Sequence, residues 1–245
     1  MNLRPLWIAG RFLSRLPFPD PGQVEPSETG HSVPWYPLVG LIMGLPATLA
    51  AIALSGTDPD VAAALVLMVW VWSSGGLHLD GLADSADAWI GGLGSRERTL
   101  EIMKDPRSGP AAISLLVLVL LAKWAAIKAL ILAGEVWLLP FIPMLARAQL
   151  PLLLLTTPYA RERGMASDQF NQLPRRAAWI ATLMAGLGVL LAGWTGLAMV
   201  LASLMLVHIA RRAMLARLGG FTGDTAGALV EGSETLALVV CVLIP

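Results

Sequence analysis

Charge is what this chain has least of. Of its 245 residues only 14% are charged, against roughly a quarter in ordinary globular domains. A water-soluble fold of this size would lack the polar surface to cover its apolar interior. A protein immersed in a bilayer has no such need, because lipid covers its faces. Cysteine is nearly absent too. The single Cys241 lies in an apolar run, which excludes an internal disulfide and a cysteine metal centre, and it reads as a small apolar filler. Nor is there an excess of one sign: 17 Lys and Arg balance 17 Asp and Glu, which speaks against nucleic acid as a partner. Internal repeats, low-complexity tracts and linkers are also missing, so one membrane-embedded domain over residues 1–245 is expected.

What remains is apolar and helical in pattern. Hydrophobic residues make up 56% of the chain and its mean hydropathy is +0.69. A spanning helix needs about 20 mostly apolar residues. Candidate spans lie at 36–55, 61–79, 111–133, 137–157, 177–194, 196–210 and about 225–245. The last must start early and carry Glu231 and Glu234 into the membrane, because TLALVVCVLIP is too short to span alone. Ahead of them, Arg4, Arg11 and Arg15 interleave with Leu6, Trp7, Phe12 and Leu13. That pattern predicts an amphipathic helix on the membrane surface, stopped by Pro17 and Pro19, and not a signal peptide. The fold class is therefore all-α: a polytopic membrane protein of about seven transmembrane helices plus an N-terminal interfacial helix.

The basic residues test this topology. Of 17, it places 14 on one side: Arg4, Arg11, Arg15, Arg96, Arg98, Lys104, Arg107, Arg161, Arg163, Arg175, Arg176, Arg211, Arg212 and Arg217. The loops on the other side, 56–60, 134–136 and about residue 195, carry none. By the positive-inside rule the Arg-rich side is cytoplasmic. That side also has the longer loops and nearly all the polar chemistry.

The densest chemistry is SSGGLHLDGLADSADAWIGG, residues 73–92. Read as a continuation of the second span, it puts Asp80 about 28 Å along the helix, at the edge of the hydrocarbon. Asp80, Asp84 and Asp87 are spaced i, i+4, i+7 and share one helical face. Three ionised carboxylates so placed repel one another. A divalent cation resolves the conflict, and oxygen ligands without cysteine favour magnesium, manganese or calcium. The bland alternative is a solvated acidic helix end or pairing with nearby Arg and Lys. His78 beside them reads as a hydrogen-bonded helix-end residue or as a ligand.

Next in the chain, Asp105-Pro106 breaks the local helix, so Lys104 to Gly109 is a turn. Lys104 and Arg107 there suit an anionic group such as a diphosphate, whereas Arg96 and Arg98 read as topogenic charges. In RLGGFTGDTAGALVEGSE, residues 217–234, Asp224 reads as the cap of the last helix. Glu231 and Glu234 lie roughly 10 and 15 Å deeper. Ionisable groups at that depth are functional or paired. Matching depths predict Arg147–Glu231 and Lys123–Glu234 ion pairs. Lys128 reads as snorkelling, His31 as part of an interfacial loop, and His208 as a packed or hydrogen-bonded residue.

Together, GGLHLDGLADSADA, LEIMKDPRSG and LGGFTGDTAGALVEGSE resemble the cobalamin synthase family, the adenosylcobinamide-GDP ribazoletransferases. RFLSRLPFP and WYPLVGLIMG are similar to it as well, so the likeness runs from about residue 4 to the C-terminus. Two positions depart: Pro106 stands where a small polar residue is expected, and Ala226 where leucine is. The resemblance implies a single transferase domain in the prokaryotic inner membrane, facing the cytoplasm. It implies transfer of adenosylcobinamide phosphate from adenosylcobinamide-GDP to α-ribazole or its 5′-phosphate, with release of GMP in late vitamin B12 assembly. It also implies Mg2+, with Mn2+ as the alternate. On that reading Asp80, Asp84, Asp87 and Asp224 are the catalytic and metal-ligating residues, and His78, Lys104, Arg107, Arg147 and Glu231 contact substrate. Whether the chain works as a homo-oligomer or with other corrinoid-pathway enzymes stays open.

Two rival readings stand beside this one. The DG-x-x-A-D run faintly resembles CDP-alcohol phosphotransferases, but Asp84 stands where those enzymes have Arg. A cation transporter would use Glu231, Glu234, Lys123 and Arg147 as a relay, yet no repeat symmetry accompanies them.

Overall fold

A computed structural model describes residues 3–161 and 166–244; Arg163, one of the 14 basic residues, lies outside them. Among the described residues every regular element is helical. In chain order these are α1 (Arg4–Leu13), α2 (Pro26–Ser32), α3 (Tyr36–Ala53), α4 (Pro59–Ser74), α5 (Leu77–Gly91) and α6 (Arg96–Ile102). There follow α7 (Pro110–Ala133), α8 (Phe141–Thr156), α9 (Ser167–Asn171), α10 (Arg175–Val189), α11 (Gly193–Leu218) and α12 (Gly223–Leu243). The seven apolar stretches expected from the sequence correspond to α3, α4, α7, α8, α10, α11 and α12.

By length and composition five helical segments can cross a membrane alone: Pro26–Ala53, Pro110–Ala133, Val136–Thr156, Arg175–Leu218 and Gly223–Leu243. The pair α4–α5 makes a sixth if it is taken as one broken span. The segment Arg175–Leu218 doubles back on itself. Arg175 near its start donates to the carbonyl of Leu155, and Arg211 near its end donates to that of Thr156. The turn falls at Gly193, whose φ of 65° suits glycine.

α8 is the central helix, with 13 of its residues buried, and α3, α10 and α12 pack around it. Gly40 and Gly44 of α3 make the α3–α8 contact close, since a Cβ at Gly40 would stand 2.2 Å from the carbonyl oxygen of Pro143. Small residues four apart are the usual means of bringing membrane helices together. The large apolar side chains left outside, such as Leu118, Leu183, Leu187, Leu201 and Met205, are half or more exposed. Such a surface suits lipid and not water.

Two features differ from the expectation. The second span does not run straight through to Asp80. It ends at Ser74, and α5 leaves at 88° to α4. The reason is the Gly75-Gly76 pair, both with positive φ (63° and 74°). Gly75 also packs against Arg15, whose flexible side chain would have to move to admit a Cβ, which would lie 2.5 Å from its Nε. α5 therefore runs across the end of α4. The N-terminal helix, in turn, is more than a surface float. It buries Ile8, Ala9 and Leu13 against the core, and the Arg15 backbone N–H donates to the Ser73 carbonyl (2.8 Å).

Candidate active site

The site forms where α5 meets the first turns of α12. Gly81 allows the approach, since a Cβ there would sit 2.8 Å from the carbonyl oxygen of Asp224. Thr222 starts α12 by accepting from the N–H of Thr225, while Thr225 Oγ1 accepts from the N–H of Thr222. Thr222, and not Asp224, is thus the cap, which corrects the sequence expectation. Asp224 is left free of that duty and pairs with Arg161 at 2.7 Å.

Arg161 reaches this position through a short parallel bridge. Ala160 N–H donates to the Phe221 carbonyl (2.8 Å), and Phe221 N–H to that of Pro158 (2.9 Å). Gly220 is needed here, because a Cβ would stand 2.3 Å from the Pro158 oxygen. Sequence reasoning counts Arg161 only as a topogenic charge. Its one signal is its place at the end of α8, which hydropathy cannot distinguish from other loop arginines. Its neighbour Arg96, also read as topogenic, clamps this region by donating to the carbonyls of Leu218 (2.8 Å) and Ala160 (2.9 Å).

The three aspartates of α5 are not equivalent. Asp80 is exposed. Asp84 is partly buried, and burial followed by repulsion from Asp80, Asp224 and Asp87 pushes its carboxyl up to about 6. Asp87 has turned to another task. Its carboxylate accepts from the backbone N–H of Gly109 and of Ala112 (3.0 Å), so it caps the N-terminus of α7 across space. Among the described residues no three His, Cys, Asp or Glu side chains converge as a finished metal cage.

The expected phosphate-binding turn forms between α6 and α7, but its cations stand apart from this cluster. Arg107 is 86% exposed and pairs with Asp105 at 2.8 Å. That guanidinium holds the Asp105 carboxyl down to about 2. Lys104 is exposed as well.

Beneath the aspartates lies a second, buried group of charges. Lys123 of α7 bonds both Glu231 (2.6 Å) and Glu234 (2.5 Å) of α12. Arg147 of α8 pairs with Glu234, and its Nη2 meets Nδ1 of His78 at 3.3 Å. Trp70 Nε1 donates to Glu234 (2.9 Å). The expected Lys123–Glu234 pair is present. Arg147, however, pairs with Glu234 and not with Glu231, whose partner is Lys123. Depth along a helix points to the right four residues, but helix rotation decides which side chain faces which. His78 belongs to this group. An arginine can only donate, so His78 Nδ1 accepts and its proton sits on Nε2. Lys128 is not merely snorkelling, because it pairs with Asp60 at 2.7 Å. His31 lies in α2 and not in a loop, its Nδ1 bonding the Ser27 carbonyl (2.7 Å) one turn back, and His208 is exposed on α11 and not packed.

A cavity of about 150 Å³ opens between the two groups. Its polar lining includes Asp80, Asp224, Arg161 and His78, and its apolar lining includes Phe12 and Phe221. Asp84, Asp87, Lys104, Arg107, Arg147 and Glu231 do not line it.

Comparisons with known proteins identify the family. The family model described as CobS, Cobalamin-5-phosphate synthase, matches residues 5–242. A protein of Pseudomonas aeruginosa named adenosylcobinamide-GDP ribazoletransferase is 53% identical over 98% of each chain. Proteins of the same name from Ectopseudomonas mendocina (50%) and Pseudomonas fluorescens (49%) each match 96% of this chain and 97% of their own. No solved structure matches it significantly. With a match across nearly its whole length and half of its residues identical to these relatives, the chain belongs to the Cobalamin-5-phosphate synthase family.

Proposed function

We propose that this chain is an adenosylcobinamide-GDP ribazoletransferase. The observation that carries the reading is the meeting of Asp80, Asp224 and Arg161 at one cavity, with Asp84 close enough to be repelled by both aspartates, in a chain similar over nearly its full length to proteins of that name. The 3′-oxygen of α-ribazole or its 5′-phosphate bonds to the cobinamide-side phosphorus of adenosylcobinamide-GDP. The bond from that phosphorus to the bridging oxygen breaks, and GMP leaves with the electron pair. Such a transfer depends mainly on positioning and on neutralising charge.

Arg161 is the cation best placed to bind the diphosphate, as its guanidinium already meets a carboxylate at the cavity. Asp224 holds Arg161 in place until substrate arrives. The hydroxyl proton passes to a carboxylate of the cluster. Asp87, with both oxygens accepting backbone N–H groups, is the least suited of the four. Lys104 and Arg107 lie on the adjoining turn and serve the outer part of a large donor.

The donor set fits magnesium, with manganese as the alternate. That ion is usually bound by one or two carboxylates together with substrate phosphates, and the crowding around Asp84 favours a cation. Asp80 and Asp84 would hold it, and when bound it supplies charge neutralisation on the diphosphate. We place the site on the cytoplasmic face of the inner membrane, because Arg15, Arg96, Arg161, Arg175, Arg211 and Arg217 all bond groups at this end of the bundle.

The test is direct. Purified protein in detergent, given adenosylcobinamide-GDP, α-ribazole 5′-phosphate and Mg2+, should release GMP without any ion gradient, and EDTA should abolish turnover. Release of CMP from a CDP-alcohol, with no GMP from the corrinoid donor, would overturn the reading. Full turnover in EDTA would remove the metal from it.

A further inference from the structure

The cavity has a floor that the diphosphate chemistry does not use. Leu13, Tyr36 and Leu153 line it and are 0–1% exposed, whereas Asp80 lines it and is exposed. The carboxylates therefore stand at its solvent side and the apolar groups at its depth. Two aromatic pairs flank it: Phe12 with Tyr36, stacked at 6.1 Å, and Tyr159 with Phe221, edge-on at 5.3 Å. At the floor the Tyr36 hydroxyl is buried and, among the described residues, makes no hydrogen bond of good geometry. Ser32 and Gln169 are its polar neighbours. A buried hydroxyl in that condition carries a desolvation cost that a ligand acceptor would remove.

We propose that this floor receives the base of the acceptor nucleoside, with the Tyr36 hydroxyl donating to its one free ring nitrogen. The assignment rests on the transferase reading above and deepens it. A cavity of about 150 Å³ is of the scale that admits an aromatic ring, and it is far too small for a corrin macrocycle. Between the two nucleoside bases in the reaction, chemistry decides. Guanine presents several donors and acceptors along its edges, and burying them needs as many partners. Besides Tyr36, the buried polar side chains of the lining are His78 and Gln169, too few to satisfy a whole guanine edge, and the carboxylates stand at the solvent side. The base of α-ribazole, 5,6-dimethylbenzimidazole, is a neutral two-ring aromatic with two methyl groups and a single free ring acceptor. One hydroxyl satisfies it, and aromatic and leucine side chains accept the rest. With the base at the floor, the ribose points toward Asp80, Asp224 and Arg161 on the same cavity wall. That is where its 3′-hydroxyl must meet the donor phosphorus.

Steady-state kinetics with both substrates varied tests this. Tyr36→Phe removes only the hydroxyl and should raise KM for α-ribazole about tenfold, the scale of one hydrogen bond, with KM for the donor within about twofold. An acceptor with CH in place of the ring nitrogen, 5,6-dimethylindole riboside, should bind the unmodified enzyme about tenfold more weakly than α-ribazole. The Tyr36→Phe enzyme should not distinguish the two. Ala226→Leu, which narrows the same cavity, should also raise KM for the acceptor alone. A rise confined to the donor KM, or discrimination that survives in Tyr36→Phe, would overturn the assignment. If the unmodified protein releases no GMP with any acceptor, the transferase reading itself fails. If it releases GMP and both variants treat the acceptor as the unmodified protein does, only this assignment fails.

Discussion

Two clusters of charge lie close together in this protein and differ in one respect. In the deeper one, Lys123, Arg147, Glu231 and Glu234 are at most 3% exposed and joined by three ion pairs. Its two cations balance its two anions. In the outer one, Asp80, Asp84 and Asp224 face, among the described residues, the guanidinium of Arg161, and are partly open to solvent. A balanced buried network satisfies itself and holds α7, α8 and α12 in register, with His78 adding α5. An unbalanced, accessible cluster repels itself and waits for a cation or a cationic partner. The pairing state, more than residue type, separates the part that holds the fold from the part that does chemistry.

The comparison breaks most sharply at Asp80. Asp80→Asn should lower GMP release by more than about a hundredfold while the detergent-solubilised protein melts at an unchanged temperature, as befits an exposed group used in the transition state. Near-normal turnover would end the distinction. Glu234→Gln should do the reverse. Neutralising the carboxylate shared by Lys123, Arg147 and Trp70 leaves buried positive charge uncompensated, at a cost of about 3–5 kcal/mol. Denaturant or thermal unfolding in detergent checks it. Arg147→Ala on that background should add much less than it costs alone. A fully additive pair would mean that the network is not one unit.

The smallest effect sharpens the outer cluster. Asp84 carries a carboxyl raised to about 6 by burial and by its acidic neighbours. A raised folded value means that the ionised form costs stability. The penalty grows as pH climbs from the unfolded value toward 6 and is complete above it. With EDTA present, Asp84→Asn should therefore raise the melting temperature slightly at pH 7.5 and have no effect at pH 4, while turnover with Mg2+ is lost. A lower melting temperature at pH 7.5 would show that Asp84 is held by a cation already in the fold.

Much of the site is legible in the sequence alone. The i, i+4, i+7 spacing puts Asp80, Asp84 and Asp87 on one helix, and they share α5. The depth of Glu231 and Glu234 announces buried partners, and Lys123 and Arg147 are those partners. Three details are hidden. Asp87 looks like its sisters, but it caps a helix that starts 23 residues later, at Pro110. Arg161 looks like any loop arginine until the bridge from Tyr159 to Phe221 carries it to Asp224. Tyr36 gives no signal at all, since a tyrosine near the start of a span reads as an interfacial anchor.

The sequence by itself determined the apolar helices, the side on which the basic residues gather, the acidic face of α5 and the family. Each of these follows from periodicity, composition or a contiguous motif, which local chemistry is enough to read. Only the tertiary structure decided the 88° turn at Gly75-Gly76, the pairing of Arg147 with Glu234, the diversion of Asp87 and the cavity floor under Tyr36. These depend on the rotation of each helix about its own axis and on loops that bring distant residues together. Hydropathy records how deep a residue lies, but not which neighbour it faces.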